Sequence, residues 1–268
     1  MGLFETSDGI RIYWELWGDT EPHLVIDPGW VGSVELYSEI YRPLVRHGLS
    51  VLAYERRGTG RADRPEPPTA DYSPERLVRD SFELVQHTGV RRRVSMGIFD
   101  GARIALRHAV DHHDETLALI MVAPSLYAAT ELGTYAAFRD LLRQSDFPTV
   151  IRQLVVMSSP GWSDEERAGY VELLRDNTST AIGNAVWDGF VELDDRPLLD
   201  RVRCPVLVVG GKQQIVPDPE RIAEVVRRVP GAELLELEGA ATMPRLSAED
   251  PAGGILEFLR ANGIVGAA

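Results

Sequence analysis

The sequence predicts an α/β protein: a mostly parallel twisted sheet flanked by helices, with a helical cap inserted into it. Short apolar runs alternate with amphipathic stretches, the pattern of parallel strands covered on both faces. Each run ends in a polar loop marked by Gly or Pro. The rhythm breaks once, from about Tyr127 to about Asp195, where the chain reads as helices alone.

Arg11 to Trp17 alternates polar and apolar residues and precedes Gly18-Asp19, as expected of an edge hairpin with one wet face. Six core strands are then expected. Leu24-Val25-Ile26 runs into Asp27-Pro28-Gly29, and Ser50 to Tyr54 runs into Glu55-Arg56-Arg57-Gly58. Arg93 to Met96 leads to Gly97, Leu117 to Val122 to Pro124, Pro205 to Val209 to Gly210-Gly211, and Glu233 to Leu237 to Gly239. Ser73-Pro74-Glu75 has the form of a helix start, with Ser73 as N-cap, and that helix runs toward His87. A second helix covers Ala102 to His112, and Glu220 to Val229 and Pro251 to Ala261 close the chain, with Ser247 a candidate cap before the last. Residues 127–195, including helices at Tyr135 to Ser145 and Ser163 to Arg175, form the expected cap; residues 1–126 and 196–268 form the core. The tail Gly263 to Ala268 is expected to fray.

The 268 residues fit one large α/β domain with an insertion, and 44% hydrophobic against 26% charged residues is a globular balance. With 41 acidic and 28 basic residues the formal charge is −13, which repels nucleic acid and anionic membrane. The expected partner is therefore a small organic ligand or substrate, with no nucleic acid and no membrane; a homodimer stays open. Cys204 is the single cysteine, so neither an internal disulfide nor a cysteine metal site can form. Residues Met1 to Gly18 mix Glu5, Asp8, Arg11 and Glu15 with apolar residues, unlike a signal peptide, and no run approaches the ~20 apolar residues of a membrane span. A cytoplasmic location is expected. Met1-Gly2 with Thr6 matches a myristoylation pattern too short to carry weight.

Ligands of an open parallel sheet bind beyond the carboxyl ends of its strands. In chain order the loops there read Pro28-Gly29-Trp30; Tyr54 to Pro65 with Gly58 and Gly60; Gly97-Ile98-Phe99-Asp100-Gly101; Gly210 to Pro217; and Gly239-Ala240-Ala241-Thr242-Met243-Pro244. This series resembles the α/β-hydrolase superfamily over nearly the whole chain. The resemblance implies a nucleophile on the sharp G-x-Nu-x-G turn, whose small flanking residues let strand and helix pack closely. Gly97 and Gly101 meet that demand, but Phe99 stands in the nucleophile's place and has no lone pair. The resemblance puts the acid at Gln213 and the histidine at Thr242, so all three triad members are absent. A one-residue shift making Asp100 the nucleophile, as in similar dehalogenases and epoxide hydrolases, would want glycine at Ile98 and Ala102. None of the six histidines falls on a carboxyl-end loop, which argues against a relocated triad on Ser125 or Ser33. Asp111-His112-His113-Asp114 does not converge, as neighbours on a helix face different ways. Neither metal nor cofactor is expected.

Main-chain donors survive side-chain change, so the N–H groups of Asp100 and Trp30 are expected to keep an oxyanion-type site. The Asp100 side chain is a candidate acid or base, with a helix N-cap as the equal alternative. The expected pocket includes Phe99 and Ile98 at its floor, Gln213, Gln214, Thr242 and Met243 as neutral replacements around the former triad, and Glu35 and Tyr37 at its mouth. Tyr127, Tyr135, Trp162, Trp187 and Phe190 are candidates for an apolar roof, each with ordinary core packing as the alternative. Glu55 and Arg56-Arg57 are expected to fix their loop by ion pairs. The N-terminal half, notably Thr6 to Ile12, also resembles hydrolase-like domains beside nucleotide cyclases in actinobacteria, which keep a serine in the turn. On these grounds the expected function is a cofactor-independent lyase, isomerase or cyclase acting on an apolar carbonyl compound in secondary metabolism. A catalytically silent binding or partner protein is the alternative, ahead of a hydrolase with a relocated triad.

Overall fold

The computed structural model describes residues 1–128, 133–159, 162–190, 193–213, 217–239 and 251–266. Eight strands form one sheet: β1 Gly2–Glu5, β2 Arg11–Trp17, β3 His23–Asp27, β4 Ser50–Glu55, β5 Arg93–Ile98, β6 Thr116–Val122, β7 Val206–Gly211 and β8 Glu233–Leu237. Their order is β1-β2-β4-β3-β5-β6-β7-β8. The β1–β2 and β2–β4 pairings are antiparallel and the rest parallel, as the edge-hairpin pattern predicts. Strands β3 to β5 are buried along their length, which matches their unbroken apolar character. The last strand differs from expectation. It pairs with β7 alone and exposes most of its residues, so Glu233 to Leu237 is an edge, and its two glutamates are what an edge facing water wants.

Helix α1 (Ser38–Arg46) packs on one face with α10 (Pro251–Ala261), while α2 (Pro74–Thr88), α3 (Gly101–Asp111) and α9 (Pro219–Arg228) also cover the sheet. The α2 start is as read from sequence: Ser73 Oγ accepts from the Arg76 N–H at 3.3 Å, and Pro74 opens the first turn. Gly89 ends it at φ +74°, a left-handed cap. Ser247 lies outside the described residues.

Between β6 and β7 stand α4 (Gly133–Gln144), α5 (Phe147–Ser158), α6 (Asp164–Leu174), α7 (Thr180–Phe190) and the short α8 (Arg196–Leu199). The turn from α6 to α7 grips two core loops. Asn177 Nδ2 donates to the Val31 carbonyl and Thr178 Oγ1 to that of Gly58, both at 2.6 Å, while the Gly60 N–H donates to Asn177 O at 2.8 Å. At the base of the inserted helices, the buried Arg103 donates to the carbonyls of Tyr127 (2.7 Å) and Leu193 (2.9 Å) and to Asp195 Oδ2 (2.6 Å). One guanidinium thus holds the outgoing and returning chain together. No helix among the described residues is long and apolar enough to cross a membrane.

Candidate functional site

The turn from β5 into α3 has the geometry of a nucleophile elbow. A Cβ on Gly97 would collide with the backbone of Gly101 and Ala102, and one on Gly101 with the carbonyls of Asp27 and Pro28. Phe99, between them, sits at φ +55°. A non-glycine residue there costs about 1–2 kcal/mol, and it persists because its surroundings over-determine it. The Phe99 N–H donates to Val122 O (2.9 Å), and Phe99 O accepts from the N–H groups of Ser125 (3.1 Å) and Ala102 (3.2 Å). The strained position falls on residue 99, while Asp100 is right-handed at φ −71°. That removes the reading in which Asp100 takes the nucleophile's place. The phenyl ring is half-buried against the main core, and Ile98 is fully buried in that core.

Asp100 and Trp30 meet directly. The Trp30 N–H donates to Asp100 Oδ1 at 2.6 Å, and Arg56 Nη1 donates to Asp100 Oδ2 at 2.8 Å. The Arg56 and Asp100 side chains are only 3% and 6% exposed, so this pair lies out of water. Asp100 stands at the N-cap position of α3 without making a side-chain cap bond. The capping alternative is therefore corrected: its carboxylate points back to the β3 loop. Tyr37, fully buried, accepts from the Gly29 N–H at 3.3 Å. Burial, with the negative charge of Asp100 adding to it, raises the Tyr37 hydroxyl above its usual range, so it stays protonated.

The loop after β4 is fixed by charge, as expected. Glu55 accepts from the N–H groups of Val34 (3.2 Å) and Arg61 (2.6 Å) and from the Arg61 guanidinium (2.7 Å). Arg57, fully buried, pairs with Asp80 at 2.5 Å and with Asp8 at 2.8 Å, tying the β1–β2 turn to α2. Its hydrogen bond holds the Asp8 carboxyl well below the usual range.

The other expected pocket residues scatter. Trp187 packs edge-on to the Trp30 indole (5.9 Å between centroids), and so do Phe138 (5.6 Å) and Phe147 (5.7 Å), which the sequence reading missed. Apolar aromatics on the inner faces of α4 and α5 were the available signal. Trp30 Nε1 also donates to Gly183 O at 3.2 Å. Tyr127 points away from this cluster: its hydroxyl donates to Arg221 O (2.9 Å), and its ring lies between Arg196 and Arg221. Trp162 packs on Tyr170 at 5.5 Å, and Phe190 lies under the Arg103 guanidinium. Glu35 is exposed and pairs with Arg42 at 3.1 Å. Gln213 is exposed, and its N–H donates to Gly239 O. Gln214, Thr242, Met243 and the Tyr135 side chain lie outside the described residues.

A second polar cluster was not foreseen. In the seam between the sheet, α2 and α3, Ser81 Oγ donates to Asp27 Oδ1 at 2.6 Å and Tyr54 donates to the same oxygen at 2.7 Å. His108 Nε2 lies 3.1 Å from Ser81 Oγ. Because the serine proton goes to Asp27, the imidazole N–H is the donor to serine, an assignment made from the network. Asp27, Ser81 and His108 are 0%, 0% and 2% exposed. Burial pushes the Asp27 carboxyl up to about 6 against the pull of its two hydroxyl donors. Burial, with Arg93 and His112 nearby, pushes His108 down to about 3.

The family model described as serine aminopeptidase, S33, matches residues 18–240. A bifunctional esterase/perhydrolase of Acinetobacter calcoaceticus is 24% identical over 97% of this chain and 100% of its own length. A non-heme chloroperoxidase of Streptomyces lividans is 25% identical, covering 89% and 92%. The enol-lactonase of Burkholderia xenovorans superposes with a TM-score of 0.83 at 17% identity, over 97% and 100% of the two chains. The fold is that of the α/β-hydrolases. The expected lyase, isomerase or cyclase is overturned: the relatives carry the names of esterases, perhydrolases and haloperoxidases, which point to hydrolytic or related chemistry. Phenylalanine at position 99 does not by itself imply a change of reaction class.

Proposed function

Because this chain belongs to the serine aminopeptidase S33 family, we propose that it hydrolyses a small ester or lactone without a covalent step on residue 99. The class of compound comes from the esterase and enol-lactonase names of its relatives. The observation that carries the rest is Phe99: an intact elbow, strained backbone included, presents an apolar ring where attack would begin. Gln213 and Thr242, at the family's acid and base positions, leave no triad in this reading.

Water is then the nucleophile. Its oxygen bonds to the acyl carbon as the carbonyl electron pair moves onto oxygen, which the N–H groups of Asp100 and Trp30 hold. Asp100, the carboxylate beside Trp30, takes the water's proton and returns it to the departing alkoxide as the C–O bond breaks.

Turnover of p-nitrophenyl acetate and of an enol lactone should proceed with no initial burst, no acyl adduct in the intact mass and no labelling by a fluorophosphonate. Asp100→Asn should lower kcat by ~10²-fold or more. An acyl or phosphonyl adduct on the chain, or no turnover of either substrate, overturns the reading.

A further inference from the structure

We propose that Asp100 is an internal latch: in the resting protein its carboxylate occupies the Trp30 N–H, so a carbonyl ligand has to win that donor from it, and Arg56 sets how hard it is to win. The inference rests on the hydrolytic reading for the ligand's class, but its test reads binding and stability, not turnover.

The 2.6 Å contact is shorter than the ~2.9–3.0 Å of ordinary N–H···O bonds, as a charged acceptor makes it. With the side chains nearly dry, little solvent screening weakens it. Of the two partners, the N–H is the fixed one. The Trp30 indole is held by Gly183 O and three aromatic rings of the inserted helices, and the Gly29 N–H by Tyr37. Exchange therefore has to happen by movement of the Asp100 side chain. Among the described residues the Asp100 N–H has no acceptor, so one half of the oxyanion site stands open while the other is taken.

Arg56 completes the site. Its Nη1 holds Asp100 Oδ2, while Nη2 is buried with no partner among the described residues. A guanidinium with one engaged and one spare amino group can keep a displaced carboxylate as the Trp30 N–H passes to the incoming oxygen. The same pair of donors defines a carboxylate site, filled by the chain's own side chain.

Removing that carboxylate should let a free one enter. Asp100→Ala deletes the volume of one formate, so sodium formate should raise its Tm by about 3 °C in the ten- to hundredfold excess over Kd, with no shift in the wild type and none with sodium chloride. In Asp100→Ala with Arg56→Gln the formate effect should vanish. An equal shift in the wild type, no shift in folded Asp100→Ala, or a shift that survives Arg56→Gln overturns the latch. Should Asp100→Ala not fold, the wild type and Asp100→Asn decide. The Trp30 amide proton should lie far downfield and exchange slowly in the wild type and move upfield in Asp100→Asn. A Trp30 amide that exchanges at the rate of an open loop, or is unmoved by Asp100→Asn, overturns it as well. A latch confirmed without ester turnover would sink the hydrolytic reading alone.

Discussion

The elbow and the seam between α2 and α3 are mirror cases. The elbow has the backbone of a nucleophile site with a phenyl ring on it; the seam has aspartate, serine and histidine in hydrogen-bond contact but buried out of solvent. In the seam even the proton runs the wrong way, from imidazole to serine and from serine to carboxylate. A triad is defined by access and direction as much as by residue type. The two buried acids differ in the same spirit. Asp100 has a guanidinium and a main-chain N–H, whereas Asp27 has two neutral hydroxyls and lies one residue before the Pro28-Gly29-Trp30 loop.

The comparison breaks most severely at Gly101. Gly101→Val puts side-chain carbon into the carbonyls of Asp27 and Pro28, where no flexible group can yield. The cost should exceed the ~1–3 kcal/mol of ordinary overpacking, and calorimetry should show no cooperative transition. Arg56→Met comes next. It leaves Asp100 buried without its cation, so urea unfolding should report a loss of about 3–5 kcal/mol. The equivalent cut in the seam, Tyr54→Phe, removes one neutral donor and should cost about 1 kcal/mol.

The seam's pH response sharpens the contrast, because its two titrating groups oppose each other. Asp27, raised from 3.8 to about 6, contributes stability that is full below pH 3.8 and lost as pH rises through 6. His108, lowered from 6.5 to about 3, contributes stability that is full above pH 6.5 and lost as pH falls through 3. At ~1.4 kcal/mol per tenfold these are worth about 3 and about 5 kcal/mol, so they largely cancel between pH 4 and 6. Asp27→Asn should therefore steepen the loss of stability toward acid, and His108→Gln should reverse its sign, as urea midpoints across that range will read. The smallest effect lies outside both regions. Ser163 and Glu166 form a capping box at the start of α6, and Ser163→Ala should lower stability by about 1 kcal/mol.

What could be read from the sequence was whatever is local. Strand ends, the Ser73-Pro74 helix start, the paired glycines of the elbow and the charge-fixed loop after β4 each announce themselves within a few residues. The partners of Asp100 lie 70 and 44 residues away, and Ser81 lies 27 from His108; no local pattern carries such distances. The aromatic roof failed for the same reason. Tyr127 and Trp187 both read as apolar rings in a helical insertion, yet one serves α9 and the other packs on Trp30. The edge position of Glu233 to Leu237 was in plain view as two glutamates three residues apart, one on each face of the strand, which a strand covered on both faces would not carry.

The grip of Arg103 on the inserted helices has a consequence for how such chains diversify. Two of its three acceptors are carbonyls, of Tyr127 and Leu193, which any amino acid supplies; only Asp195 must keep its side chain. The joint asks almost nothing of the sequence it holds, so at this base the inserted helices can be rewritten, while Asn177, Thr178 and the rings packed on Trp30 are where their sequence stays tied to the core.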